Sequence, residues 1–484
     1  MGHETRRSHQ HVAIRARLGL LLATAALNPT GAAADATLGN CAVVAALPPP
    51  PATAKVFSSR SGADDAADIQ HALDGLHSGD WLVLAAGHYL IGKHLVIAGD
   101  GVTLYGKGAV IRSSSPRDGG VLIEGDDVAV YGLTLEQDSV ERQGAPWSGG
   151  IAIFDGRGGR RRRVSGATIE GNTINNAAAA GIFLYKASYF TVAGNSVFRS
   201  LADGIHATGG SKDGRIVGNS VTQNGDDMVA IVSYAGLRNT HTLAARYPGM
   251  SADDLDSNIY VAGNKLSDTY WGRGISVVGG SDVTIENNDI SRTPTAAGIY
   301  LLRESSYVTY GDHNILVRAN SLSQIQTMAP TYKPPGITLV LTHHGAVEVS
   351  SQLLAEESTD TRFRQPLSVS GIALIGNKIH DARFAGVRLG AVSESDKTVS
   401  DVLVQDNSLA SVGTDAVAEV HPGMDRASLT CSGNKLNGTL WQSACDKVPV
   451  AATARPAISG ASLTCLPDGT IRRQVVPRAP TDLR

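Results

Sequence analysis

Charged side chains make up only 18% of the 484 residues, and the formal net charge is -3. So little charge disfavours both a coiled coil and a disordered chain. The near balance of signs leaves no electrostatic footprint for nucleic acid. Beyond the N-terminus, no apolar run approaches the roughly 18 residues of a membrane span. Cysteine is rare, at Cys41, Cys431, Cys445 and Cys465, and no Cys-x-x-Cys spacing suggests a metal site. Glycine, by contrast, is abundant at 54 residues, which suits a fold of many tight turns.

The first 34 residues carry Arg6, Arg7, Arg15 and Arg17, then the apolar run Leu18 to Leu27, then small residues from Gly31 to Ala34. That order is a secretory signal peptide, so 1-34 is expected to direct export to the periplasm or the medium. Export permits disulfides. Three pairings exist, and Cys431 with Cys445 and Cys41 with Cys465 is favoured. Residues 35-54, with the run Pro48 to Pro51, read as a stiff linker.

Self-similarity dominates the rest. The pairs Gly171-Asn172, Gly194-Asn195, Gly218-Asn219, Gly263-Asn264, Asn287-Asn288, Ala319-Asn320, Gly376-Asn377, Asp406-Asn407 and Gly433-Asn434 are each followed at two residues by Ile, Val or Leu. Successive asparagines are often 23 or 24 residues apart. A short β-branched run precedes each, and second short strands are expected to begin at Gly181, Gly204, Met228, Gly274, Gly298 and Gly386. Strands this short bury an apolar face only by stacking coil on coil. The expected fold is therefore all-β, a single-stranded parallel β-helix over 55-445, with 446-484 as a C-terminal cap or tail. Stacked asparagines would bond from coil to coil. Two stretches break the period, 236-257 and roughly 324-368, and long loops on a rigid scaffold tend to wall a functional groove.

Residues 64-76 carry a helical pattern, Ala67, Ile69, Ala72, Leu73 and Leu76, expected to cap the first coil. Ala63-Asp64-Asp65, Ile69 to Leu73, Gly79-Asp80 and Ala86 to Leu90 resemble the opening of the right-handed pectin-lyase-like and polygalacturonase proteins.

The coil period superposes positions. Ala180, Asp203, Asp227, Arg273, Ala297 and Ala385 each precede a second strand, and Asp203 and Asp227 lie one coil apart, about 5 Å at the backbone. With Asp226 beside them, three carboxylates would repel, raising at least one pKa and separating an acid from a base. Glycoside hydrolysis requires such a pair.

Asn224-Gly225-Asp226-Asp227-Met228-Val229-Ala230-Ile231 resembles the Gly-Asp-Asp-x-Val-Ala-Ile segment of glycoside hydrolase family 28, the polygalacturonases. Ala202-Asp203-Gly204-Ile205 is similar to its Asn-Thr-Asp-Gly-Ile, and Gly272-Arg273-Gly274-Ile275-Ser276 to its Gly-His-Gly-Ile-Ser. The resemblance implies an inverting hydrolase with Asp226 as general acid and Asp203 and Asp227 orienting and deprotonating water. Arg273 stands where the family has histidine, and the family's Arg-Ile-Lys falls near Gly298 to Leu302 without a match. A polymer other than galacturonan, still an acidic polysaccharide, is the expected substrate.

His206 should share an outward row with Phe183, Ser276, Tyr300 and Arg388. His206, Arg273, Tyr300, Arg303 and Arg388 are the candidate substrate contacts, although Arg273 could equally pair with Asp227. Trp147, Tyr185, Trp271 and Tyr300 are candidate sugar platforms or core. Arg160 to Arg163 reads as a solvated turn, and His343-His344 lacks a third metal ligand. No cofactor is expected for a hydrolase. A lyase or uronate epimerase on this scaffold would use the carboxylates to bind Ca²⁺ or to neutralise the uronate, with Arg273 or a Tyr or His as base, but the epimerase-like Asp-Pro-His motif is missing. A binding module in which the aspartates only cap turns is the third reading. The sequence carries no expectation of oligomeric state.

Overall fold

The computed structural model describes residues 44-60, 62-115, 117-156, 162-238, 240, 242-390, 398-413, 418-441, 462-465 and 471-474. The expected signal peptide, Cys41, Cys445 and most of the C-terminal tail lie outside the described residues. Cys431 is disulfide-bonded.

Each coil has three short strands. Thr168–Glu170 turns at Gly171-Asn172 into Thr173–Asn175, the chain crosses to Ile182–Tyr185, and Thr191–Ala193 opens the next coil. Each strand pairs in parallel with its equivalent one coil on: Ile169 with Val192, Ile174 with Val197, Ile182 with Ile205. Three long sheets result, of 16, 13 and 11 strands. We call them sheets one, two and three, following the order within a coil. Alternation sorts the side chains: in Ile182–Tyr185, Ile182 and Leu184 point in, whereas Phe183 and Tyr185 are half-buried outside. The inward residues form one continuous core from Ile69 to Leu429. The fold is a parallel β-helix, as expected, and the second strands begin one residue after the positions read from sequence.

The turn asparagines are its axial thread. The Nδ2 of Asn172, Asn195, Asn219, Asn264, Asn288, Asn320, Asn377 and Asn407 each donates to Oδ1 of the next, at 2.9–3.0 Å, ending on Asn434. All are buried. The residue before each asparagine is left-handed, whether it is Gly171 (φ 67°), Asn287 (φ 53°), Ala319 (φ 54°) or Asp406 (φ 55°). That conformation costs non-glycine residues roughly 1–2 kcal/mol, which the ladder offsets.

The N-terminal end is closed by the helix Ala66–Asp74, with Ile69 and Leu73 buried beneath it. Gln70 ties it to the first strand of sheet three, donating to the Val96 carbonyl and accepting from its N–H. The segment read as a linker is not a free spacer over its described part. Val44 and Leu47 lie against the turn row, so a Cβ on Gly194 would sit 2.8 Å from Val44 and one on Gly171 3.1 Å from Leu47. Small turns leave room for an apolar strap.

Both interruptions of the period are present, but the second is more than loop. Val347–Ser351 pairs with Ile299–Arg303 on one side and with Val387–Leu389 on the other. It is therefore one enlarged coil. The two insertions pack on each other through Tyr247, Tyr310, Leu353, Phe363 and Leu367.

Replacing Asn264 by Ala orphans the Asn219 N–H, which donates to Asn264 Oδ1 at 2.9 Å, and the Ile216 carbonyl, which accepts from its Nδ2. A loss of about 2–3 kcal/mol is expected from unsatisfied buried groups, measured by chemical denaturation against wild type; an unchanged midpoint would show the ladder to be incidental.

Candidate active site

Sheet three begins at equivalent points in successive coils with Asp203, Asp227 and Arg273. The Gly204 N–H donates to the Asp227 carbonyl at 2.9 Å, and the Met228 N–H to that of Arg273 at 3.0 Å. The side chains follow the same register. Asp203 Oδ1 accepts the Asp227 N–H at 3.0 Å, and Asp227 Oδ1 accepts the Arg273 N–H at 2.7 Å. Each carboxylate is thus held by the peptide of the coil above.

Asp226 is aimed by its turn. Asn224, fully buried, donates to the carbonyls of Asp226 and Asp227, and Thr269 Oγ1 donates to the Asp226 carbonyl. Gly225 is required there, since a Cβ would meet the Leu201 carbonyl oxygen at 2.4 Å. One carboxylate oxygen from each of Asp203, Asp226 and Asp227 lies within 4.8 Å of the others, so the expected cluster forms.

Their environments differ. Burial works to raise the Asp203 pKa, but the charge of His206, its 2.7 Å contact through Nδ1, and Arg142 outweigh it and hold the carboxyl below its usual range. His206 is correspondingly raised: burial opposes its charge, and Asp203 more than restores it. Asp226 is pushed up to about 7, by burial first and then by the negative charges of Asp203 and Asp227, with Arg142 opposing. Asp227 accepts from Ser276 Oγ at 2.6 Å and faces Arg273 Nη1 at 3.5 Å.

Two residues at the site escaped sequence reasoning. Arg142 reaches from the connection between Thr134–Glu136 and Ile151–Ile153 to place Nη1 2.7 Å from Asp226 Oδ2. No coil period points to it, because that connection lies outside the repeat. Glu304 accepts from Arg273 Nη2 at 2.9 Å and from the Tyr300 hydroxyl at 3.2 Å.

An open cleft lies on the N-terminal side of the triad, lined by Arg142, Pro146, Ala180, Phe183, Asp203 and His206. An aromatic row continues from it, His206 to Phe183 to Tyr185 to Phe154, with ring centroids 5.5, 6.5 and 5.6 Å apart. On the other side the face is roofed. The outward row of sheet three runs Phe183, His206, Ala230, Ser276, Tyr300, Glu348 and Arg388 in register. The shared row is as expected, but Ser276 and Tyr300 are buried. The His344 ring stands 4.8 Å from Tyr300 and the Arg273 guanidinium 4.3 Å above it. Burial, then Arg273, Arg388 and His343, press the His344 pKa down to about 3.

Of the five expected substrate contacts, His206 lines the open cleft, Arg273 adjoins the triad without lining the cleft, and the other three lie away from it. Tyr300 is covered as described. Arg388 is held by Glu348 at 2.7 Å and by the His343 carbonyl. Arg303 is 0% exposed and paired with Glu357 at 2.8 Å, tying the insertions together. Of the other side chains read from sequence, Trp147 and Trp271 are exposed, Trp147 stacked on His94. Arg160 and Arg161 lie outside the described residues, while Arg162 bonds Asp155 and Asp126 rather than forming only a solvated turn.

The three carboxylates are close enough to hold a cation. Two guanidiniums lie against them, Arg142 on Asp226 and Arg273 beside Asp227.

The raised Asp226 pKa has a cost in stability. Folded Asp226 holds its proton to about pH 7 against an ordinary value of 3.8. Its contribution is therefore full below about pH 4 and lost as pH rises through 7. Asp226→Asn, which keeps an acceptor for Arg142, is expected to melt above wild type at pH 8, with the difference shrinking towards pH 4. Equal melting temperatures throughout would contradict the raised pKa.

A family model described as a right handed beta helix region matches residues 93–322. Among solved structures, the catalytic domain of a GH87 α-1,3-glucanase in complex with nigerose is similar at a TM-score of 0.58 and 14% identity, covering 81% of this chain and 71% of that one. The catalytic unit of a thermostable GH87 α-1,3-glucanase from Streptomyces thermodiastaticus has a TM-score of 0.54 and 16% identity, covering 83% and 72%. The A-module of the Azotobacter vinelandii mannuronan C-5 epimerase AlgE6 has a TM-score of 0.51 and 15% identity, covering 77% and 95%. No curated protein matches the chain by sequence. The stacked coils and the matching region together show that this chain folds as a right-handed parallel β-helix.

Proposed function

We propose that this protein is an exported glycoside hydrolase acting on a polysaccharide, with Asp226 as general acid and Asp203 and Asp227 activating water. The observation that carries the reading is a carboxyl with its pKa at about 7 packed against one held below its ordinary range. Asp226 gives its proton to the glycosidic oxygen as the bond to the anomeric carbon breaks. Asp203 or Asp227 takes a proton from the water whose oxygen bonds that carbon. Asp203 favours the proton on His206, and that positive charge in turn favours the Asp203 carboxylate.

The motif resemblance to polygalacturonases supports the assignment. So does a coincidence of spacing: aspartates replaced by alanine in the GH87 glucanase structures fall 23 residues and then 1 residue apart, as Asp203, Asp226 and Asp227 do. Inversion rests on the motif resemblance, because carboxylate oxygens within 4.8 Å are closer than the roughly 6.5–9.5 Å of inverting pairs. The anomeric configuration of the first product decides it. An acidic polymer was expected from sequence; with Arg142, Arg273 and Arg388 all paired to carboxylates, neutral glucans belong in the test equally. A lyase or epimerase needs a base at the carbon next to a uronate carboxyl. Asp203 favours the proton on His206, and burial first, then nearby negative charge, pushes Tyr234 up to about 12, which makes both poorer bases and that reading weaker.

Incubation with α-1,3-glucan, polygalacturonate and alginate is expected to release reducing ends from one of them. Asp226→Asn and Asp203→Asn should each lower kcat by about 10²–10⁴-fold. Full activity in Asp226→Asn, or an unsaturated product absorbing in the ultraviolet, would overturn the assignment.

A further inference from the structure

Arg142 is an awkward neighbour for a general acid. A guanidinium 2.7 Å from Asp226 Oδ2 favours the carboxylate, whereas the reaction begins from the carboxylic acid. The same guanidinium lines the cleft that a sugar must enter, beside Asp203 and His206. A glycan oxygen approaching Asp226 from the cleft therefore competes with Arg142 for the same carboxyl.

The chain around Arg142 is built to let it move. At one end, Gln137 is buried, donating from Nε2 to the Gly149 carbonyl at 2.8 Å and accepting the Ala178 N–H at 3.1 Å. At the other, the Gln143 N–H donates to the Ala178 carbonyl, and Ser148 Oγ donates to the Arg117 carbonyl at 2.6 Å. Between these anchors, Asp138, Val140, Glu141 and Arg142 are exposed, Val140 at 85%. An exposed span pinned at both ends can swing its side chains without disturbing the coils.

Resting on the hydrolase reading, we propose that Arg142 is a displaceable counter-ion, which bonds Asp226 while the cleft is empty and is driven off by the entering glycan, so that Asp226 keeps its proton to a higher pH when substrate is bound. One proton passes from solvent to the Asp226 carboxylate, and Arg142 keeps its charge throughout. The other groups facing Asp226 are Asp203 and Asp227, which favour its proton, and Arg273, which opposes it, with Tyr270 nearby. Asp203 and Asp227 are held by backbone N–H groups and Arg273 by Glu304. Arg142 is the cation bonded directly to Asp226 and carried by an exposed span. By linkage, whatever weakens its hold strengthens proton binding, and the converse also holds. Arg142 is thus a positioning residue: it spares the free protein a buried like-charge cluster and arms the acid on demand.

The test is the pH dependence of kcat/KM, which reports the free enzyme, against that of kcat, which reports the complex. It is measured on whichever of α-1,3-glucan, polygalacturonate and alginate is cleaved. In wild type the alkaline limb of kcat should lie about one pH unit above that of kcat/KM. In Arg142→Gln the kcat/KM limb should move up to meet it, while Arg142→Lys keeps the gap. Equal gaps in wild type and Arg142→Gln would overturn the proposal. Carbon-detected NMR titration of Asp226 in the ligand-free protein needs no turnover. It should show the carboxyl titrating at higher pH in Arg142→Gln than in wild type, and an unchanged titration would sink the counter-ion role even if hydrolysis is confirmed. If no polymer is cleaved by any form, the hydrolase reading fails instead, and the titration still decides whether Arg142 sets the state of Asp226.

Discussion

Parallel pairing of each coil on the next is the constraint from which the site follows. It fixes the separation of equivalent residues at one strand spacing, and the buried asparagine ladder locks that register at every turn from Asn172 to Asn434. A slip of one residue in any coil would turn its inward side chains outward and break the ladder, so the register is specified twice. Asp203 and Asp227 are neighbours because their coils cannot be otherwise.

That rigidity explains how three carboxylates coexist in a half-dry pocket. Each of the two stacked aspartates receives a peptide N–H from the coil above, together with one further partner: His206 for Asp203 and Ser276 for Asp227. Among the described residues no peptide N–H reaches the Asp226 carboxylate, which instead meets Arg142, a residue of the cleft lining. Burial and its neighbours' charges therefore fall on it, and it keeps its proton to about pH 7. The difference between Asp226 and Asp203 arises from which carboxylates the backbone and His206 support.

The insertions shape what can reach the triad. The enlarged coil around Val347–Ser351 and the insertion bearing Tyr247 are joined by the buried Arg303–Glu357 pair and their shared apolar cluster. They stand on the roofed side of the aspartate triad. The cleft opens on the opposite side, towards Phe183, Tyr185 and Phe154, and Arg142 stands at its mouth.

The Gly-Asn period determined the parallel coils and the adjacency of Asp203, Asp226 and Asp227, because these follow from local turn chemistry repeated from coil to coil, and the helical spacing of Ile69, Leu73 and their neighbours determined the capping helix. Even the outward row from Phe183 to Arg388 was legible, since strand alternation is a property of the backbone. What the period did not govern, only the tertiary structure decided. Arg303 and Tyr300 sit on outward or strand-end positions that sequence reads as available, yet the insertions bury both. Arg142 joins Asp226 across 84 residues from a connection that repeats nothing. Contacts made by non-repeating segments depend on where the whole chain carries them, and no ruler within the sequence measures that.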